Sequence, residues 1–241
     1  MALEKEGLSP LSHLALSFGL QMPRRIALTE NPVHFFPIDA PSDRDAPGEH
    51  EGLVMVSGLD PTLLRTALGG RSIVIVGMMG VGKTTIGKRL ATRLELAFVD
   101  SDKAVEEAAR RSVAEIFSSY GEEAFRDCER RVIARLLRSP DQVLALGGGA
   151  WTHAETRAAV IASGVSVWLD ADLETLLERV RRRATRPLLQ TKNPAQVLAD
   201  LDRARRPVYA LADIRVTVGR GHHYQVVDTL TGALSRHLGM N

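Results

Sequence analysis

The sequence predicts an α/β protein in which a parallel sheet is covered by helices on both faces. Three observations lead there. Short apolar, β-branched runs alternate with segments of three- and four-residue apolar spacing across most of the chain. The first run breaks into glycines and then Lys83-Thr84-Thr85, the phosphate-binding pattern G-x-x-x-x-G-K-[ST]. The residues that could carry chemistry follow directly on the predicted strands, where such sheets collect their ligands.

Residues 1–60 are set apart from this pattern as an extension expected to be largely disordered, and 61–241 as one P-loop domain. Seven of the chain's 11 prolines fall between Pro10 and Pro61, and the stretch from Pro41 to Glu51 is polar with no period. A helical pattern then runs over 61–68. Strands are predicted at 72–76, 96–99, 142–146, 165–169 and 214–218. Helical patterns occupy 82–94, 101–111, 113–120, 122–137, 153–163, 173–183, 194–211 and 224–238. Ser112 with Glu115 reads as a capping box, and Gly121 and Gly164 as helix ends.

Composition narrows the class. With 241 residues, 44% of them hydrophobic, the chain can bury a sizeable core. Lys and Arg number 31 against 29 Asp and Glu, a net charge of +2 that argues against a general nucleic-acid surface. Residues 1–70 carry 5 basic and 9 acidic residues, leaving 26 against 20 in the part with the phosphate loop. One cysteine, Cys128, makes no internal disulfide and is expected as core filler in a reducing cytoplasm. No apolar run is long enough to span a membrane, and the N-terminus lacks the order of a secretory leader. A cytoplasmic protein with no membrane and no nucleic-acid partner is expected.

The loop residues each have a reason. Glycine at 77, 80 and 82 lets the backbone curl around a triphosphate, with Gly80, Val81, Gly82, Lys83, Thr84 and Thr85 forming the cradle. Lys83 supplies a point charge to the β- and γ-phosphates, the Thr84 hydroxyl can ligate Mg²⁺, and the following helix adds its positive end. The second strand runs into Asp100-Ser101-Asp102, where one carboxylate could hold Mg²⁺ through water and the other take a proton from a substrate hydroxyl. A helix N-cap is the structural reading of the same residues. Gly147-Gly148-Gly149 after the third strand requires either a close approach to the backbone or a turn with positive φ. Among the arginines, Arg126, Arg186 and Arg205 stand outside the runs that usually mark a solvated helix face.

In this order the phosphate loop, Phe98-Val99-Asp100-Ser101-Asp102, Phe125-Arg126, the triple glycine, Arg186-Pro187-Leu188-Leu189 and Arg205-x-Pro207-x-Tyr209 resemble shikimate kinase, over about residues 65–238. The resemblance implies a P-loop three-layer α/β/α fold with a five-stranded parallel sheet in 2-3-1-4-5 order. It implies a monomeric enzyme that uses ATP and Mg²⁺ to phosphorylate the 3-hydroxyl of shikimate on the route to chorismate. Carried over, Lys83 holds phosphates, Thr84 and Asp100 complete the Mg²⁺ shell, and Asp102 binds the shikimate hydroxyls and accepts the proton. Arg126, Arg205 and the Gly148 backbone grip the substrate carboxylate, with Phe117 and Phe125 against the ring. Arg186 reaches the γ-phosphate from a lid at about 184–194, and Arg179 lies near adenine. Two other readings compete: a gluconate kinase on the same scaffold, and a non-enzymatic metabolite sensor that regulates transcription. The proline-broken N-terminus and the complete Asp102, Arg126 and Arg205 set weigh against the sensor.

Overall fold

The computed structural model describes residues 60–181, 193–219 and 221–240. The segment 1–59 and most of the expected lid, including Arg186, lie outside the described residues. The domain begins where the chain supplies a helix start and stop. Asp60 accepts a hydrogen bond from the Thr62 N–H at 2.8 Å, Pro61 takes the first turn, and Gly69 closes helix α1 (Pro61–Leu68) in the left-handed region. Leu64 and Leu68 of α1 are fully buried.

Five parallel strands follow: β1 (Ser72–Val76), β2 (Ala97–Asp100), β3 (Gln142–Ala145), β4 (Gly164–Asp170) and β5 (Ile214–Thr217). Their order is β2-β3-β1-β4-β5. The central strand β1 pairs with β3 (Ile75 opposite Ala145) and with β4 (Ile75 opposite Val167), and all five of its residues are buried. Covered on both faces, such a strand reads as a continuous apolar run, which is why these segments stand out in the sequence. The edge strand β5 alternates buried and exposed residues.

The helices are α2 (Lys83–Leu94), α3 (Ser101–Ala109), α4 (Val113–Leu136), α5 (Ala154–Ser163), α6 (Leu173–Arg181), α7 (Pro194–Tyr209) and α8 (His223–His237). One group, α1, α2 and α8, packs through α2; α4 and α5 pack together, and α5 covers β4. The expected helices 113–120 and 122–137 are both present within α4: Gly121 (φ 79°, ψ 175°) leaves the helical region, so two helices meet at a kink where the sequence places the break. The start of α4 is the capping box between Ser112 and Glu115. A short 3₁₀ turn, Ala150–Thr152, had no separate sequence signal. Cys128 is a free thiol, 2% exposed within the core. Among the described residues no helix is long and apolar enough to cross a membrane.

Candidate active site

The loop between β1 and α2 is shaped by glycines at positive φ: 138° at Gly77, 82° at Gly80 and 103° at Gly82. A Cβ at Gly77 would meet the Leu169 carbonyl of β4 at 2.5 Å, so the loop can leave the sheet here only with glycine. Gly82 stands at the N-cap of α2, leaving that helix's first amides for an anion. Lys83 lies folded along the loop, its Nζ donating to the Gly77 carbonyl at 2.8 Å and the Met78 carbonyl at 3.1 Å. Gly80, Gly82, Lys83, Thr84, Thr85, Asp100, Asp102, Ala145, Leu146 and Gly148 line one open cleft over the carboxyl ends of β1, β2 and β3.

Asp100 is the N-cap that the structural reading of its position expects, and its second oxygen meets the phosphate loop. Its Oδ1 accepts from the Asp102 N–H at 3.1 Å, making it the N-cap of α3, while its Oδ2 accepts from the Thr84 hydroxyl at 2.9 Å. The Thr84 hydroxyl and a carboxylate are thus paired hard oxygen ligands, the donor set that suits Mg²⁺. Among the described residues no group of three or more His, Cys, Asp or Glu side chains gathers around a point. An ion held here would therefore take most of its ligands from phosphate and water. Asp102 is half-buried in the same cleft, and Ser101 is turned inward to accept from the Gly147 N–H at 2.9 Å.

The triple glycine is explained by what presses on it. None of the three has positive φ, so the turn does not need glycine for its backbone. A Cβ at Gly147 would sit 2.4 Å from Asp102 Oδ1 and 2.7 Å from Glu129 Oε1, and one at Gly149 would sit 2.6 Å from Arg126 Nη2. At Gly148 the nearest atom would be Arg205 Nη1 at 3.6 Å, followed by the Met79 N–H of the phosphate loop at 3.7 Å. The close approach expected from the sequence is thus made by this chain's own charged side chains. Arg205 Nη1 donates to the Gly148 carbonyl at 3.2 Å, and the Tyr209 hydroxyl donates to the same oxygen. Burial pushes the Tyr209 hydroxyl up to about 12.

Arg126 brings a partner the sequence reading missed. Its Nη1 donates to Glu129 Oε2 at 2.7 Å, and its Nη2 to Glu122 at 3.2 Å. Glu129 is 1% exposed and its Oε1 has no hydrogen-bond partner. Burial raises its carboxyl above the usual range, Arg126 pulls the other way, and the Asp102 carboxylate raises it further. Burial disfavours the Arg126 charge, but Glu129 and Glu122 outweigh it and raise the guanidinium. A glutamate beside Arg130 and Arg131 looks like solvated helix surface. The available signal was its spacing of three from Arg126, which puts both on one face.

Phe117 and Phe125 are in tilted contact, their ring centroids 4.6 Å apart and their planes at 35°; Phe125 is 2% exposed and lies beneath the Arg126 guanidinium, with 5.0 Å from its centre to the ring. Arg179 is bonded to two carbonyls, Val81 of the phosphate loop at 3.1 Å and Gly219 at 2.7 Å. It ties the loop to the turn after β5. The structure therefore brings Lys83, Thr84, Asp100, Asp102, Arg126, Gly148 and Arg205 to one mouth of one sheet, from five separate stretches of sequence.

Comparison with known proteins gives a consistent result. The family model described as shikimate kinase matches residues 79–235. A shikimate kinase of Bradyrhizobium diazoefficiens is 51% identical over 173 residues, covering 72% of this chain and 84% of that one. One of Caulobacter vibrioides is 53% identical over 167 residues, covering 69% and 84%. Among solved structures, shikimate kinase from Acinetobacter baumannii in complex with shikimate superposes with a TM-score of 0.67 at 35% identity, over 73% of this chain and 97% of that one. A gluconokinase from Sinorhizobium meliloti shares the fold, with a TM-score of 0.51 at 19% identity, over 70% and 94%.

Proposed function

Because the chain belongs to the shikimate kinase family, we propose that it transfers the γ-phosphate of ATP to the 3-hydroxyl of shikimate, giving 3-phosphoshikimate and ADP. ATP-dependent phosphorylation of shikimate in aromatic biosynthesis is the activity of the family. The finer assignment rests chiefly on one observation: Asp102, Arg126 and Arg205 converge on the Gly147-Gly148-Gly149 turn, which itself lies against the phosphate loop.

In this reading the substrate carboxylate lies between the Arg126 and Arg205 guanidinium groups and the Gly148 backbone, a planar anion between two planar forks. Phe117 borders the ring, and Phe125 supports Arg126 from below. Anchoring that end brings the reacting hydroxyl to Asp102, which takes its proton as the oxygen attacks phosphorus and the bond to ADP breaks. Lys83 shifts from its carbonyl partners onto the β- and γ-phosphates, and Thr84 and Asp100 would hold Mg²⁺, which when bound would supply positive charge beside the phosphates. Arg186, on the segment 184–194, closes over the γ-phosphate, and Arg179 borders the adenine. A site completed within one chain is consistent with a monomer, and the single cysteine with the cytoplasm.

The decisive measurement is ATP consumption with shikimate, with gluconate and with neither. Turnover that depends on shikimate alone is expected, and equal turnover with gluconate would favour the competing sugar-acid reading. For the proton acceptor, Asp102→Asn should lower turnover at least about 100-fold and leave ATP binding near normal. Unchanged turnover in that variant removes Asp102 from the role.

A further inference from the structure

Behind the carboxylate end of the cleft lies a charged cluster that none of the roles above uses. Asp170 ends β4 and is 6% exposed. It receives Arg206 of α7 at 3.0 Å and Arg215 of β5 at 2.5 Å. Arg206 is also paired with Asp202, one turn earlier on α7, at 3.1 Å. Both guanidinium groups lie over the Trp168 ring, 5.5 Å away for Arg206 and 4.8 Å for Arg215. Trp168 in turn stacks on Tyr209 with centroids 6.1 Å apart. The Tyr209 hydroxyl ends on the Gly148 carbonyl that Arg205 also bonds.

The last turn of α7 has a particular need for such ties. Pro207 lies inside it and has no N–H to give, so the segment that carries Arg205 lacks part of its helical ladder. Side chains just after Arg205 supply what the backbone does not: Arg206 reaches down to the sheet, and Tyr209 reaches across to Gly148. A nearly buried carboxylate costs free energy unless it is well paired, and here its two partners come from two different elements, which fixes one against the other.

We propose that Asp170 and Arg206 are positioning residues for the substrate. They hold the end of α7 against β4 so that the Arg205 guanidinium meets the substrate carboxylate beside Gly148. The inference rests on the reading that Arg205 grips that carboxylate.

The test is calorimetric binding of shikimate and of ATP to the full chain. Arg206→Gln and Asp170→Asn should each weaken shikimate binding about five- to tenfold by loosening the geometry of Arg205, with ATP affinity unchanged. Arg206→Lys, which keeps the charge and loses the fork, should fall between wild type and Arg206→Gln, and it serves if either stronger variant fails to fold. The discriminating arm is the Arg205→Gln background, in which Arg206→Gln should have no further effect on shikimate. The proposal is overturned by an equal loss in that background, by parallel losses for shikimate and ATP, or by no loss at all. If Arg205→Gln alone binds shikimate like wild type, the carboxylate grip is the part that fails.

Discussion

Gly147→Ala offers a direct test of the cleft because its cost falls on two named carboxylates. The added methyl would stand 2.4 Å from Asp102 Oδ1 and 2.7 Å from Glu129 Oε1. A carbon and an oxygen rest at about 3.3 Å or more, so the two groups must retreat by roughly 0.6–0.9 Å. The backbone at Gly147 is not in the left-handed region, so alanine adds no conformational strain there. Glu129 is 1% exposed and tied to Arg126 at 2.7 Å, whereas Asp102 is half-buried and borders the cleft; Asp102 is the group that yields. A displacement near 1 Å at Asp102, the proposed proton acceptor, should lower kcat about 10- to 100-fold. Gly149→Ala makes the informative contrast. Its methyl would press on Arg126 Nη2 at 2.6 Å, so it should raise the KM for shikimate and leave kcat less affected. Steady-state kinetics with each substrate varied, beside a melting curve, reads both. Wild-type kcat in Gly147→Ala, or the same pattern of losses in the two variants, would refute the placement of Asp102 against this turn.

Two further outcomes follow from packing and burial. Deleting residues 1–55 should leave melting temperature and activity nearly intact, whereas deletion through residue 70 removes Leu64 and Leu68, both fully buried, and should cost about 3–6 kcal/mol. Equal melting temperatures for the two truncations would mean that α1 does not brace the core. Tyr209 keeps its proton up to about 12, so the stability tied to the neutral hydroxyl is fully present below the ordinary tyrosine value and is lost as pH rises through about 12. Two units at about 1.4 kcal/mol each make wild type lose about 2–3 kcal/mol more than Tyr209→Phe across that window. Urea unfolding of both proteins from neutral to strongly alkaline pH measures it, and parallel profiles would contradict the burial argument.

What could be read in the sequence shares a physical origin. β1 and β4 are buried on both faces, so burial appears as composition over consecutive residues, and strand bounds come within a residue or two. α1 is legible because Asp60, Pro61 and Gly69 are local signals that need no tertiary partner. The phosphate loop likewise carries its shape in its own glycines. Glu129, Asp170 and Arg206 are different. Each lies among charges, and only the packed structure turns it inward. Gly121 belongs with the local signals: its non-helical φ and ψ separate the two halves of α4 where the sequence places the break.

The arrangement of charge in the cleft bears on how it sorts two anions. At the phosphate end, Lys83 is held by carbonyl oxygens, which carry no net charge, and the exposed amides of α2 add to its field. At the other end, Arg126 already faces Glu129 and Glu122, so its positive charge is largely answered within the protein. A triphosphate gains from the first environment through the Lys83 charge and the α2 amides, although the Asp100 and Asp102 carboxylates line the same cleft and call for a cation beside the phosphates. A single planar carboxylate gains enough from the second, where Arg126 and Arg205 offer directed N–H groups beside Gly148 while Glu129 limits the net charge. On the proposed carboxylate grip, the buried glutamate would lower the attraction of that end of the cleft for phosphate more than for carboxylate, and the two substrates would be sorted by charge as well as by shape.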